Sequence, residues 1–264
     1  MQSGRESGKD QVAAHQAAQL WEGVDQAVGP YPDGVLRVPA PLQGTAFFPG
    51  GYGLWREGEH ATAGTIPVHG AMFVGQDFHS KRGYEDSLRQ GTEVGHVRTW
   101  KSLIETLEDA RLSPAQCFFT NAYMGLRESD KATGRFPGLL DGAFVKRCHQ
   151  FLIHQIGVQQ PRLIVTLGKA AFQALGAVSD DLAQWKTARS YRELDAAGAI
   201  RSCRFSNGVN AAAVALLHPS LRTPSLRHRH WNGLEGHEAE IGLLREGMRR
   251  AGLPEPLNRP QAKS

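Results

Sequence analysis

The sequence predicts an α/β protein: three layers, α/β/α, around a central, mostly parallel four-stranded sheet. Three observations predict it. Short, uninterrupted apolar runs alternate with amphipathic helical patterns through the middle of the chain, as they do where helices cover both faces of a parallel sheet. Each apolar run ends in a glycine-containing or polar loop, the usual passage from a strand to its crossover. With 264 residues, 41% of them hydrophobic and 21% charged, the chain can bury a substantial core without staples.

Residues 10–28, "DQVAAHQAAQLWEGVDQAV", predict a short helix. Residues 29–66 carry "GPYPDG", "PAPLQG" and "FPGGYG", turn signals that suggest an irregular wrapping segment. Residues 1–66 are therefore expected to belong to the same domain as the main unit, 67–253, with 254–264 a loose tail. "AMFVG" (71–75) reads as the first strand. "RTWKSLIETLEDAR" follows, with Trp100, Leu103, Ile104 and Leu107 at helical spacing. "CFFTNAY" (117–123) is a strand, and the next helix has an apolar face of Phe144, Phe151, Leu152 and Ile156. "RLIVTLG" (162–168) is a strand that leads through its glycine into the helix "KAAFQALGA". "AAAVALLHPS" (211–220) is the fourth strand, and "GHEAEIGLLREGMRRAG" the last helix.

Composition narrows the function. The three cysteines, Cys117, Cys148 and Cys203, are too few for a disulfide framework or a four-cysteine cluster, and are expected to be buried and reduced. Eleven histidines occur without an H-E-x-x-H or C-x-x-C pattern, so no metal or organic cofactor is expected. A G-x-G-x-x-G or P-loop is absent too, which argues against a nucleotide-binding protein unrelated to DNA. No run approaches the roughly 20 apolar residues that cross a bilayer. The first residues are polar and lack the core of a secretion signal, so a cytoplasmic location is expected. The formal charge of +4 is a mild footprint for a polyanionic partner, and "RTPSLRHRH" (222–230) concentrates basic groups that can follow a phosphate backbone. No protein partner is evident.

The four strand ends are Gly75-Gln76-Asp77-Phe78-His79, Thr120-Asn121-Ala122-Tyr123, Gly168-Lys169 and His218-Pro219-Ser220. Strand-end geometry puts them on one rim. A carboxylate, a carboxamide and an imidazole would then face a single cleft. Such a set can break a bond to a nitrogen heterocycle: the amide reads the ring's polar edge, the imidazole stabilises charge on the leaving ring, and the carboxylate stabilises an oxocarbenium-like sugar or orients water. Taken singly, each residue has an ordinary reading, with Asp77 as a helix cap, Asn121 as a turn residue and His218 as a rim side chain.

Together, "VGQDFH", "CFFTNAYMGLR", "PRLIVTLGKAAFQAL" and "LLHPSL" resemble, in order and over about residues 70–232, the motifs of the uracil-DNA glycosylase superfamily. "VGQDFH" is similar to that superfamily's water-activating GQDPYH. The resemblance implies a monofunctional glycosylase that needs no cofactor, flips a pyrimidine (uracil by default) out of DNA, and hydrolyses its N-glycosidic bond. It implies that Asp77 and His218 are catalytic, and that Gln76, Phe78, His79 and Asn121 line the base pocket. Ser220 and the basic stretch, including Arg227, would clamp phosphates, while Leu221 or Arg222 would fill the vacated duplex site.

The pattern departs from the family at Phe78-His79-Ser80, where GQDPYH has Pro-Tyr-His. His79 replaces the tyrosine that walls off the pyrimidine C5 position, which leaves room for a C5-modified base or a modified cytosine, as in defence against phage DNA. A relative that grips or covalently traps damaged DNA without turnover is the other alternative. The family's stacking phenylalanine has no clear match; Phe78 and Tyr84 are the candidates.

Overall fold

The computed structural model describes residues 19–38, 44–51, 53–54, 66–221 and 225–253. Its strands are β1 (Val35–Leu36), β2 (Ala71–Gly75), β3 (Cys117–Asn121), β4 (Leu126–Arg127), β5 (Leu163–Leu167), β6 (Ile200–Arg204), β7 (Asn210–Leu216), β8 (His230–Trp231) and β9 (Leu234–Glu235). Its helices are α1 (Lys81–Gln90), α2 (Arg98–Ala110), α3 (Gly142–Gln159), α4 (Lys169–Ala177), α5 (Ala183–Thr187), α6 (Tyr191–Ala197) and α7 (Gly236–Arg250). A helical segment over 19–28 precedes them; residues 10–18 of the expected first helix, and the 254–264 tail, lie outside the described residues.

The central sheet has five strands, not the four expected, in the order β3-β2-β5-β7-β6. The first four are parallel, and β6 runs antiparallel to β7 at the edge. The added strand, "IRSCR", buries only Cys203. It therefore lacks the continuous apolar run that marks a strand covered on both faces, and its polar side chains suit an exposed edge. By contrast β2, β3 and β5 are buried at every position.

Side-chain alternation along the strands separates the two helical layers. Phe119 and Phe73 stack at 5.2 Å on one face, where Trp100 of α2 meets Phe119 at 5.0 Å. On that face α7 comes so close to β7 that a side chain at Gly247 would strike Val214. Phe118 and Thr120 point the other way, toward α3: Phe48 bridges Phe118 at 5.6 Å and Phe151 at 6.4 Å, and Thr120 Oγ1 donates to Gln155 Oε1 at 2.7 Å. All three cysteines are buried free thiols.

The Gly/Pro-rich lead-in has a structural task. Phe48 N–H donates to Phe119 O at 2.8 Å, and Phe48 forms a parallel bridge with Thr120. Strand β1 pairs antiparallel with β4, Val35 opposite Arg127. Leu20, Val24, Val28, Val35, Phe47 and Phe48 are buried in the same hydrophobic cluster as the sheet. No helix among the described residues is long and apolar enough to cross a membrane.

Candidate active site at the carboxyl ends of the strands

The parallel register sets the rim. Gly75 pairs with Asn121, Val74 with Thr166, and Leu167 with Leu216, so the loops after β2, β3, β5 and β7 leave the sheet side by side. Two further bonds, Ala122 N–H to Gly75 O and Tyr123 N–H to Gln76 O, both 2.9 Å, tie the first two loops together. Close approach here requires glycine. A Cβ at Gly75 would fall 2.2 Å from Asn121 Oδ1, and one at Gly168 (φ +93°) would lie 3.0 Å from His218 Cβ.

Asp77 and His218, separated by most of the chain, both line an inner pocket of about 80 Å³ with Asn121, Phe78 and His79. The pocket opens into a cleft of about 670 Å³ that Gln76, Arg127, Gly134 and Ser220 also line. The apolar walls come from Phe47, Phe78, Val97, Trp100 and Leu167. Asn121 is buried and lines the pocket.

The Asp77 carboxylate is held by Arg127, with Nε to Oδ2 at 2.7 Å and Nη2 to Oδ1 at 3.1 Å. Both side chains are nearly sealed, 7% and 5% exposed. The remaining donors of the guanidinium go to the carbonyls of Thr133, Gly134 and Arg135, at 3.4, 3.0 and 3.2 Å. All five N–H groups that an arginine possesses are thus used, and the Phe136 ring lies 5.6 Å from its centre. Burial pushes the Asp77 carboxyl up to about 6, against the pull of Arg127. Each carboxylate oxygen accepts one bond from Arg127 and keeps lone-pair capacity for a water or a sugar cation.

His218 is held differently. Its Nδ1 accepts from the Ser220 backbone N–H at 3.3 Å and lies 2.8 Å from Ser220 Oγ. An acceptor Nδ1 belongs to a neutral ring whose proton sits on Nε2. Burial lowers the His218 pKa and favours the same form. The backbone leading to it is clamped at three successive residues: Arg229 Nη2 donates to Ala215 O, Tyr191 Oη to Leu216 O at 3.0 Å, and Leu217 N–H to Glu240 Oε2 at 2.9 Å.

His79 lies on the wall between pocket and cleft. Its ring sits over Gly83, where a Cβ would be 1.7 Å from Nδ1, and Nδ1 is 3.3 Å from Ser80 Oγ. Ser80 Oγ in turn caps α1 by accepting from Gly83 N–H. Tyr84 does not reach the pocket; its hydroxyl donates to Gly50 O at 3.1 Å within the core. Leu221 ends the short turn Pro219–Leu221, and Arg222 lies outside the described residues. Arg227 is exposed, with Nε donating to His228 Nε2 at 2.9 Å. Arg229, by contrast, leaves the basic stretch that was expected to follow phosphates. It is fully buried and pairs with Asp195 and Glu240, both at 2.6 Å, because two acidic partners from α6 and α7 offset the cost of burying its charge.

Three further residues of the site escape a reading of the sequence. Phe47 comes from the Gly/Pro-rich lead-in, Glu93 from a turn-like "GTEVGH", and Arg127 from six residues past Asn121. Only the third left a signal, a charge at the end of the apolar "AYMGLR".

No curated protein matches the chain. The model of the Uracil DNA glycosylase superfamily matches residues 58–233, a span that contains Asp77, Asn121, Arg127 and His218, and the chain therefore belongs to that superfamily.

Proposed function

We propose that this protein is a monofunctional DNA glycosylase that takes a flipped pyrimidine into the inner pocket and hydrolyses its N-glycosidic bond, leaving an abasic site. Superfamily membership supports a DNA glycosylase-type hydrolase, with base excision and repair as its setting and DNA as its substrate. One observation carries the residue assignments: a buried carboxylate fixed by arginine and a neutral imidazole, from opposite ends of the family match, line the same pocket as the Asn121 carboxamide.

In this reading Asp77, ionised and immobile, stabilises the positive charge that develops on the sugar and holds the attacking water. His218 donates its Nε2 proton as a hydrogen bond to the base carbonyl while charge moves onto the leaving ring; a neutral donor does this without needing a protonated histidine. Asn121 bonds the polar edge of the base, Phe47 or Phe78 packs on its face, and Gln76 and His79 border it. Ser220 and Arg227 meet the duplex together with Leu221 and Arg222, whose assignment rests on the sequence alone, and phosphate contacts and a plug offset the few kcal/mol that extrusion costs. Hydrolysis without an attacking amine is part of this reading: among the described residues the pocket and cleft linings contain no lysine.

Uracil is the default base, read by Asn121. A modified cytosine is the second reading, favoured by His79 at the place of the C5-excluding tyrosine and by Glu93 in the pocket wall. The test is a panel of oligonucleotides, single- and double-stranded, carrying uracil, thymine mispairs and C5-substituted cytosines, each assayed for alkali-labile sites. Release of at least one base with turnover is expected. A denaturation-resistant protein–DNA band without abasic product would replace the hydrolase with a covalent trap, and inertness toward the whole panel would reject both.

A further inference from the structure

Glu93 lines the inner pocket and has no task in the mechanism above. It is fixed there by stiff neighbours. Its backbone N–H donates to Thr45 O at 2.8 Å, and its Oε2 accepts from Trp100 Nε1 at 2.8 Å. Trp100 is fully buried, its ring edge-on to Phe47 at 4.9 Å and to Phe119 at 5.0 Å. The Trp100 bond is made to Oε2, and Glu93 shares the pocket lining with Asn121. Of the two arginines that line the outer cleft, Arg127 has every donor engaged, and neither it nor Arg98 lines the inner pocket itself. A base seated in the pocket would displace the water that reaches Glu93 and would have to supply a hydrogen bond in its place.

What Glu93 lacks is a donor, because an ionised carboxylate only accepts. At C4 a 4-oxo pyrimidine presents another acceptor, its single edge donor being the N3–H that the Asn121 amide can take, whereas a 4-amino group presents N–H donors, and carboxylates take the amino group of cytosine for this reason. With a base closing the pocket, a carboxylate oxygen facing O4 would set two acceptors against each other, the arrangement by which a site built for hydrogen bonding rejects the wrong analogue. Asn121 is indifferent, since its amide carries both a donor and an acceptor and turns to suit either edge.

We propose that Glu93 is a specificity-determining residue that selects a pyrimidine with an exocyclic 4-amino group, the cytosine class, over its 4-oxo counterpart. This rests on the glycosylase reading and moves the base away from the uracil default. Burial pushes the Glu93 carboxyl up to about 7, against the Trp100 bond, so the discrimination is to be read at pH 8, where the group is ionised.

The experiment uses the full chain and two matched pairs of oligonucleotides, cytosine against uracil and 5-hydroxymethylcytosine against 5-hydroxymethyluracil. Members of a pair differ only at C4 and at the adjacent N3, an acceptor in the 4-amino base and an N–H donor in the 4-oxo base. Single-turnover release of the 4-amino member should be at least tenfold faster in one pair or both. Glu93→Gln keeps an oxygen for Trp100 and presents N–H donors to the pocket, so it should reduce that ratio at least tenfold with its unfolding midpoint little changed. Faster release of the 4-oxo member by the wild type, or an unaltered ratio in a folded Glu93→Gln, overturns the inference and leaves the glycosylase standing. Release of none of the four bases overturns the inference, and the wider panel then decides the glycosylase reading separately. If Glu93→Gln does not fold, the wild-type ratio alone decides.

Discussion

The two sides of the cleft use burial to opposite ends. On the β2 side, Asp77 remains a charge because a second charge was buried with it, and the guanidinium of Arg127 spends its other donors on three carbonyls of the 133–135 loop. On the β7 side, burial removes a charge: His218 is neutral, and the Ser220 N–H fixes which nitrogen carries its proton. The difference teaches how one water-poor cleft presents a fixed anion to a developing cation and a neutral donor to a developing anion. Neither group needs to change its protonation state at neutral pH before reaction.

Asp77→Asn tests the charged side most severely. Loss of the carboxylate should lower single-turnover base release by roughly 10² to 10³-fold, the scale of losing one electrostatic stabiliser, with DNA affinity by fluorescence anisotropy nearly unchanged. Arg127→Met should come next. Leaving a buried carboxylate unpaired costs about 3–5 kcal/mol, visible in urea unfolding, and the pH below which activity falls should move upward because only burial would then act on Asp77. His218→Gln, which keeps a donor but loses the fixed ring, should cost about 10²-fold in release. A similar change of rate at every pH would confirm that the ring is not titrating. Ser220→Ala preserves the backbone N–H that orients His218, so release should fall by less than about tenfold. The smallest effect is expected at the mouth: Arg227→Ala should reduce the slope of log K against log[salt] by about 1, and an unaltered slope would remove Arg227 from the DNA path.

The four parallel strands and the rim they build were legible because each is an unbroken apolar run ending in a residue with distinctive chemistry. The site is thinner in the sequence than in space. β6 was missed because an edge strand with one solvent-facing side has no continuous apolar signal. Arg127 was missed because its partner lies 50 positions away, and a bidentate ion pair leaves no spacing in the chain. Glu93 and Phe47 sit in segments with turn-like composition, and tertiary contacts such as the bridge of Phe48 to Thr120 and the bond to Trp100 carry them into the pocket. Arg229 misled for the converse reason: a basic residue in a basic run has the same local sequence whether it meets a phosphate or the buried Glu240.

The most direct measurement is the pH dependence of single-turnover base release, made on whichever oligonucleotide the wild type cleaves fastest, for the wild type and Arg127→Met side by side. Burial holds the Asp77 carboxyl near 6 and the group must be ionised to act, so wild-type release should be level near neutrality and fall tenfold per pH unit as the pH drops below about 6. In Arg127→Met the same fall should begin at a higher pH. A wild-type rate that rises on acidification, or two profiles that superimpose, would contradict a catalytic carboxylate held ionised by Arg127.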